Sequence, residues 1–278
     1  RARIRGENPP DRYEIAITRR DGDLAWLELN ARRIEAGGRS LSLVTALDIT
    51  ARKRAEEAVA FLSHVSEQLN ASFDEEATIV EPATGAVPFL GALAVIDLRR
   101  DDGSIQRSAF VHRQPEAIQH IQGAVPPDVF GPGHPVRTVL ATGQTAILQG
   151  ALPPAAGVPP EQLRILAALG VTGGAIVPLT GPSGVIGTLS LGWTGSRTPL
   201  DPPLIQTAEE LGRRAGRAIE HGRHYRQARA AAETAERSLV MLDALLANSP
   251  AGIAFLAPDF TVLRANKAVA DILGVDSP

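Results

Sequence analysis

The first fifty residues alternate. Tyr13, Ile15 and Ile17 fall on one side of an extended chain and Arg12, Glu14 and Ala16 on the other, the period of two that a half-buried strand requires. Asp21-Gly22 follows as a hairpin signal, because glycine tolerates positive φ. A second strand is expected over about 24–34, where Leu27 and Leu29 flank Glu28. Gly37-Gly38 turns the chain again, and a third strand is expected over about 40–47. Such a meander is too small to be stable alone.

The period then changes. Thr50 is placed to N-cap a helix, and Ala55, Val59, Leu62, Ser66 and Leu69 recur at steps of four and three, a stripe of heptad type. Strands return over 91–98 and 105–112, around a turn at Asp101-Asp102-Gly103. Pro126-Pro127 and Gly131-Pro132-Gly133 mark a long loop. A short helix over 136–141 ends with Gly143 as its left-handed C′ residue. A short strand over 145–148, a Pro/Gly-rich loop over 150–160 and a helix over 161–169 closed by Gly170 come next. Two apolar, β-rich runs, 171–179 and 185–193, are joined by Gly181-Pro182-Ser183-Gly184, the strongest hairpin signal in the chain.

Asp201 opens a long helix through Pro202 and Pro203, expected to reach about Ala247. Ala218, His221, Tyr225, Ala228, Ala232, Ala235, Leu239, Leu242 and Leu246 keep steps of three and four along it, more than three heptads. After Asn248-Ser249-Pro250 a new unit starts: a strand over 252–256, a turn at Pro258-Asp259, a strand over 261–265 and a helix over 266–273.

Composition narrows the chemistry. At 278 residues about two domains are expected, and 44% hydrophobic content suffices for a sizeable core. A net charge of -3 gives no electrostatic reason to expect nucleic acid or an anionic membrane as partner. The arginine clusters at Arg19-Arg20, Arg52–Arg54 and Arg213-Arg214 alternate with acids and read as solvated faces. Zero cysteines exclude disulfides, thiolate metal sites, cysteine nucleophiles and thioether-linked chromophores. They also fit a reducing compartment, and a cytoplasmic location is expected. No apolar run approaches the roughly 18–20 residues that span a bilayer. Residue 1 is Arg and the apolar pattern at 272–278 stops partway, so a fragment is expected, with an output domain in cis beyond residue 278.

Three stretches resemble known families. Arg20-Asp21-Gly22, Trp26 and the run Leu47-Asp48-Ile49-Thr50-Ala51-Arg52-Lys53-Arg54-Ala55-Glu56 resemble the C-terminal half of a PAS domain, with Asp48 and Thr50 at its exit junction. Leu245 to Ile253 and Arg264-Ala265-Asn266-Lys267-Ala268 are similar to the opening of a second PAS domain. Thr138 to Gln144, and Ile176-Val177-Pro178-Leu179 through Gly184 to Leu191, resemble a GAF domain. The resemblance divides the chain into a partial PAS domain over 1–50, a helical linker over 51–62, a GAF domain over 60–222, a coiled-coil linker over 223–243 and a truncated PAS domain over 244–278. It implies an α+β fold with a six-stranded antiparallel GAF sheet and flanking helices, a small-molecule or interaction pocket, and signalling through terminal helices within a homodimer. Ala228, Ala232, Ala235, Leu239, Leu242 and Leu246 would form the relay seam. The PAS–GAF–PAS order is similar to bacterial sensor histidine kinases first, then to metal-dependent Ser/Thr phosphatases of the sigma-regulator type, then to diguanylate cyclases.

Within these residues no catalytic centre is expected. His64, in Phe61-Leu62-Ser63-His64-Val65-Ser66-Glu67, has the surroundings of a phosphoacceptor histidine, but Val65 stands where an acid is needed, so it is expected to be a surface residue. His112 and His134 are candidate ligand-binding residues and the only candidates for axial ligation of haem; with no second spaced ligand, no metal and no cofactor are expected. Asp97 ends an apolar strand, either pointing into a pocket toward a polar ligand or facing solvent, and solvent is the expectation. His120, His221 and His224 read as helix-surface residues, and Trp26 and Trp193 as packing residues. Gly181, Gly184 and Gly187 join strands rather than opening a helix, so hairpin geometry explains them better than a phosphate loop. The cyclic-nucleotide signature of some GAF domains is absent, and the methionine-sulfoxide reductase chemistry of others needs thiolates this chain lacks.

Overall fold

Between residues 91 and 194 the chain carries five β-patterned runs, and all five join one antiparallel sheet. The structure is a computed structural model describing residues 12–20, 24–37, 39–71, 75–116, 130–149, 157–194 and 202–274. Its sheet contains β4 (Leu93–Arg99), β5 (Ile105–His112), β6 (Ala146–Gln149), β7 (Val171–Gly181) and β8 (Gly184–Thr194) in the order β5-β4-β8-β7-β6. The resemblance implied six strands. Among the described residues there are five. The β7–β8 turn needs only Pro182 and Ser183, tighter than the four-residue connection expected.

Alternation gives this sheet two apolar faces. On β4, Ala94, Ile96 and Leu98 point to one side; their partners Leu189 and Leu191 on β8 and Val177 and Leu179 on β7 share it. Against that side pack α1 (Thr50–Ala71), α2 (Glu75–Phe89) and the first part of α5 (Pro202–Asn248), through Val65, Leu69, Ala83, Ala86, Leu211, Ala215 and Ile219. The heptad stripe of α1 is thus split: Val59 is exposed while Leu69 is buried. On the opposite side, α3 (Pro135–Thr142) and α4 (Pro160–Ala168) flank a second cluster of Ile105, Phe130, Val136, Val139 and Ile176.

Helix α5 lies on β7 at backbone distance. A Cβ on Gly216 would come 2.6–2.7 Å from the backbone of Thr180, and one on Gly212 would come 2.5 Å from the Pro178 carbonyl oxygen. One turn on, the buried Glu220 carboxylate accepts from the Ser183 amide in the β7–β8 turn at 3.2 and 3.3 Å. Arg214 is not the solvated charge the sequence suggested: its guanidinium donates to the Leu62 carbonyl at 2.9 Å and to the Ser66 hydroxyl at 2.7 Å, clamping α5 to α1.

The N-terminal meander comprises β1 (Arg12–Thr18), β2 (Leu24–Ala36) and β3 (Arg39–Asp48), in that order and antiparallel. It joins α1 through Glu14, which pairs with Arg52 and Lys53, both at 2.6 Å. Thr50 does not cap α1 with its own hydroxyl. That hydroxyl donates to Asp48 Oδ1 at 2.5 Å, the Thr50 amide donates to the same oxygen at 2.9 Å, and the Trp26 amide donates to Thr50 Oγ1 at 3.0 Å. Asp48 is therefore the acceptor at this junction, and these bonds, then Arg19, hold its carboxyl below the ordinary value. Lys53 sits 5.4 Å over the Trp26 ring.

The chain divides into two units, 1–220 and 221–278. In the second, β9 (Ala254–Leu256) and β10 (Val262–Ala265) pair antiparallel and α6 (Lys267–Leu273) follows. Asn266 organises it: Oδ1 accepts from the Ile253 and Val269 amides, and the side-chain amide donates to the Leu246 and Ala251 carbonyls. The turn at Asp21-Gly22, Gly38, His120, Pro126-Pro127, Asp201 and the loop residues 150–156 lie outside the described residues.

Candidate functional site

The site is made by the sheet face turned away from α1, α2 and α5. Leu93, Val95 and Asp97 of β4 lie on it, and the antiparallel register places Thr188, Ser190 and Gly192 of β8 opposite them. Strict alternation on β5 would send Arg107 with Ala109 into the apolar helix-side core. A bulge prevents this. Ile96 pairs with Ala109 but Asp97 pairs with Arg107, so Ser108 is the extra residue and Arg107 joins the face of Phe110. Helix α3 closes one side because Pro135 starts it and Gly143, at φ 67, ends it with its amide on the Val139 carbonyl.

Together these elements enclose a cavity of about 310 Å³, lined by Asp97, Arg107, His134, Gln162 and Ser190 amid an apolar wall that includes Val95, Phe110, Leu148, Leu163 and Ile176. That volume is at the lower end of small-molecule sites.

Asp97 is buried within it, contrary to the expectation of a solvent-facing carboxylate; its side chain is 1% exposed. The sequence misled because Asp97 sits late in its strand, whereas β4 is central and covered on both faces. Oδ1 accepts from Arg107 Nε at 3.0 Å, while Oδ2 is buried without a partner among the described residues. Burial pushes the Asp97 carboxyl above its ordinary value, against the opposing pull of Arg107. The Thr188 hydroxyl, opposite Asp97 on β8, is likewise buried and unpartnered. Buried polar atoms are normally satisfied, so the orphaned Asp97 Oδ2 marks this end of the cavity. Arg107 is 22% exposed and its guanidinium carbon lies 5.6 Å from the Phe130 ring.

His134 reaches the cavity as the N-cap of α3. Its Nδ1 accepts from the Val136 amide at 3.2 Å, which leaves the proton on Nε2, aimed at Gln162 Oε1 at 3.4 Å. Burial pushes its pKa down, with Arg107 and Arg137 acting in the same direction and Gln162 opposing. The imidazole is thus held neutral, in one tautomer. Sequence reasoning saw His134 but not this capping role, and it missed Arg107 and Gln162 altogether. A strand arginine between apolar neighbours was the available signal; the bulge that aims it was not readable.

His112 is not brought to the cavity. It is buried, with Nδ1 accepting from the Gln114 amide at 3.1 Å and Nε2 without a partner among the described residues. Among the described residues no cluster of three or more His, Cys, Asp or Glu could hold a metal ion, and no helix is long and apolar enough to cross a membrane. His64, His221 and His224 are exposed. Trp193 is buried against Ala175 beneath α5. Of the proposed relay residues, Ala228, Ala232, Ala235, Leu239 and Leu242 are exposed on α5, and Leu246 is buried.

An antiparallel sheet with α1, α2 and α5 on one face and a cavity flanked by α3 and α4 on the other is an α+β architecture. Residues 75–220 match the GAF domain family, and the chain belongs to it. Among solved structures, the GAF domain of a phosphoenolpyruvate-protein phosphotransferase from Coxiella burnetii is similar at 17% identity and a TM-score of 0.49, covering 62% of this chain and 97% of that one. The GAF domain of a protein described as a sensor histidine kinase from Pseudomonas syringae pv. tomato aligns at 15% identity and a TM-score of 0.45, covering 65% and 96%. The phytochrome photosensory core module of Stigmatella aurantiaca aligns at 13% identity and a TM-score of 0.48, covering 83% of this chain and 50% of that one. No curated protein matches the chain.

Proposed function

We propose that this chain is the sensory and relay region of a cytoplasmic multidomain signalling protein, in which the GAF cavity binds a small molecule and α1 and α5 carry the signal. The observation that supports it most is the largely apolar cavity with Asp97 Oδ2 left without a partner among the described residues at one end. Buried acceptors are normally paired, and this one lies in the wall of the cavity. The reading has no catalytic step within these residues. Native mass spectrometry of the chain after incubation with a bacterial metabolite extract tests it, beside Ser190→Phe, which fills the cavity. A small molecule retained by the wild type and lost by the variant is expected; equal retention by both would sink the reading.

The relay acts through a homodimer. Leu239 and Leu242 are 59% and 41% exposed on α5, and a stripe kept over more than three heptads is self-complementary to a second copy. Sedimentation should show a dimer at micromolar concentration, with Leu239→Glu/Leu242→Glu shifting it to monomer. A monomeric wild type would remove this part. The flanking segments are read as PAS pieces. By resemblance the parent is a sensor histidine kinase, ahead of a sigma-regulator-type phosphatase and a diguanylate cyclase. Autophosphorylation, phosphatase and cyclase assays on the natural full-length protein separate the three.

A further inference from the structure

The cavity's polar end specifies more than the presence of a ligand. Asp97 Oδ2 is a buried acceptor with no donor among the described residues. Arg107 spends its Nε on Asp97 Oδ1, and its two amino groups meet no acceptor among the described residues. A molecule that fits must therefore bring a donor and an acceptor close together on one small head.

Net charge narrows it further. Asp97 and Arg107 compensate each other, and His134 is held neutral because its Nδ1 lone pair is committed to the Val136 amide. With Asp97 ionised and paired to Arg107, a purely anionic or purely cationic head would leave one charge uncompensated, which is unfavourable in a buried site. The other walls are aliphatic and aromatic. At about 310 Å³ the cavity is at the lower end of small-molecule sites, so the body is small.

We infer that the ligand is a small molecule with an apolar body and a compact head of no net charge, donating to Asp97 Oδ2 and accepting from the Arg107 guanidinium. An α-amino acid zwitterion with an aliphatic or aromatic side chain is the simplest member of this class, and a primary amide is its uncharged counterpart. The inference rests on the reading of the cavity as a ligand site.

Isothermal titration of the 278-residue chain with four probes of one shape tests it: L-leucine, isocaproamide, isocaproate and isoamylamine. Leucine or isocaproamide should bind at least roughly tenfold more tightly than either singly charged probe. Asp97→Asn can still accept from Arg107 but presents an amide donor in place of Oδ2. It should weaken the preferred probe by roughly 10- to 100-fold, the size of a lost charge-assisted hydrogen bond. Circular dichroism melting checks that the variant folds; if it does not, the ranking of the four probes on the wild type decides alone. Isocaproate or isoamylamine binding as tightly as the neutral heads would overturn the inference, as would a folded Asn variant that binds unchanged, or no binding by any of the four. A metabolite retained in the native mass spectra, lost in Ser190→Phe and belonging to another class would overturn it too, yet leave the ligand-site reading standing. Loss of both signals removes both.

Discussion

His134 shows how one side chain can serve a helix and a cavity under a single protonation constraint. Its Nδ1 lone pair caps α3, and a proton placed there would turn the acceptor into a donor facing an amide. Burial already pushes its pKa below the ordinary 6.5. For a group whose folded pKa is depressed, stability is fully present above the unfolded pKa and is lost as pH falls through the folded one. Unfolding midpoints should therefore decline on acidification from 6.5 downward. His134→Asn keeps a good N-cap, worth about 1 kcal/mol, without the titration, so its decline over the same window should be shallower. Urea titrations at a series of pH values check this, and parallel curves for the two proteins would discount the cap. The residues least legible in the sequence also sit at this scale. Asp97 looked terminal, because its burial depends on β8 and β5 pairing on either side of β4. Arg107 was invisible because a single extra residue, Ser108, decides which face it takes.

Among the elements, those with a clear period were readable and those held by packing alone were not. The β7–β8 hairpin and α3 follow their turn and cap residues closely. Helix α2 gave no usable signal. Pro82, Gly85 and Pro88 punctuate it as a loop would, yet Ile79, Ala83, Ala86 and Val87 are buried, and burial outweighs the helix propensity lost. Gly85 is there because a Cβ would come 2.9 Å from Val65 on α1. The glycines of α5 allow a contest of sign. In an exposed helix interior, Gly→Ala stabilises by about 1 kcal/mol. Gly222 has nothing within 4 Å of a would-be Cβ, so Gly222→Ala should stabilise by that amount. At Gly216 the Thr180 backbone is in the way, and overpacking of about 1–3 kcal/mol should win, so Gly216→Ala should destabilise. Chemical denaturation of both variants reads the two signs; stabilisation by Gly216→Ala as well would mean that α5 stands off β7.

At the scale of the molecule, the strand order carries the main dependence. β8 stands between β4 and β7 and pairs with both along most of its length. Without it, the β4–β5 pair and the β6–β7 pair share no edge, and the helix-side core loses Leu189 and Leu191. A chain ending at Ser183 should give no cooperative thermal transition by circular dichroism and rapid proteolysis throughout. A sharp transition in that truncated chain would mean that β8 is dispensable.

The same order has a consequence for biosynthesis. β4 leaves the ribosome long before β8, and at about 5–20 residues per second the wait is on the order of seconds. Through that interval the run Leu93 to Leu98, apolar but for Asp97, has an open edge where β8 will later bind. An unpaired strand of that composition is a template for any other exposed strand. The nascent chain is thus most prone to aggregate, and most in need of a chaperone, before its last hairpin emerges.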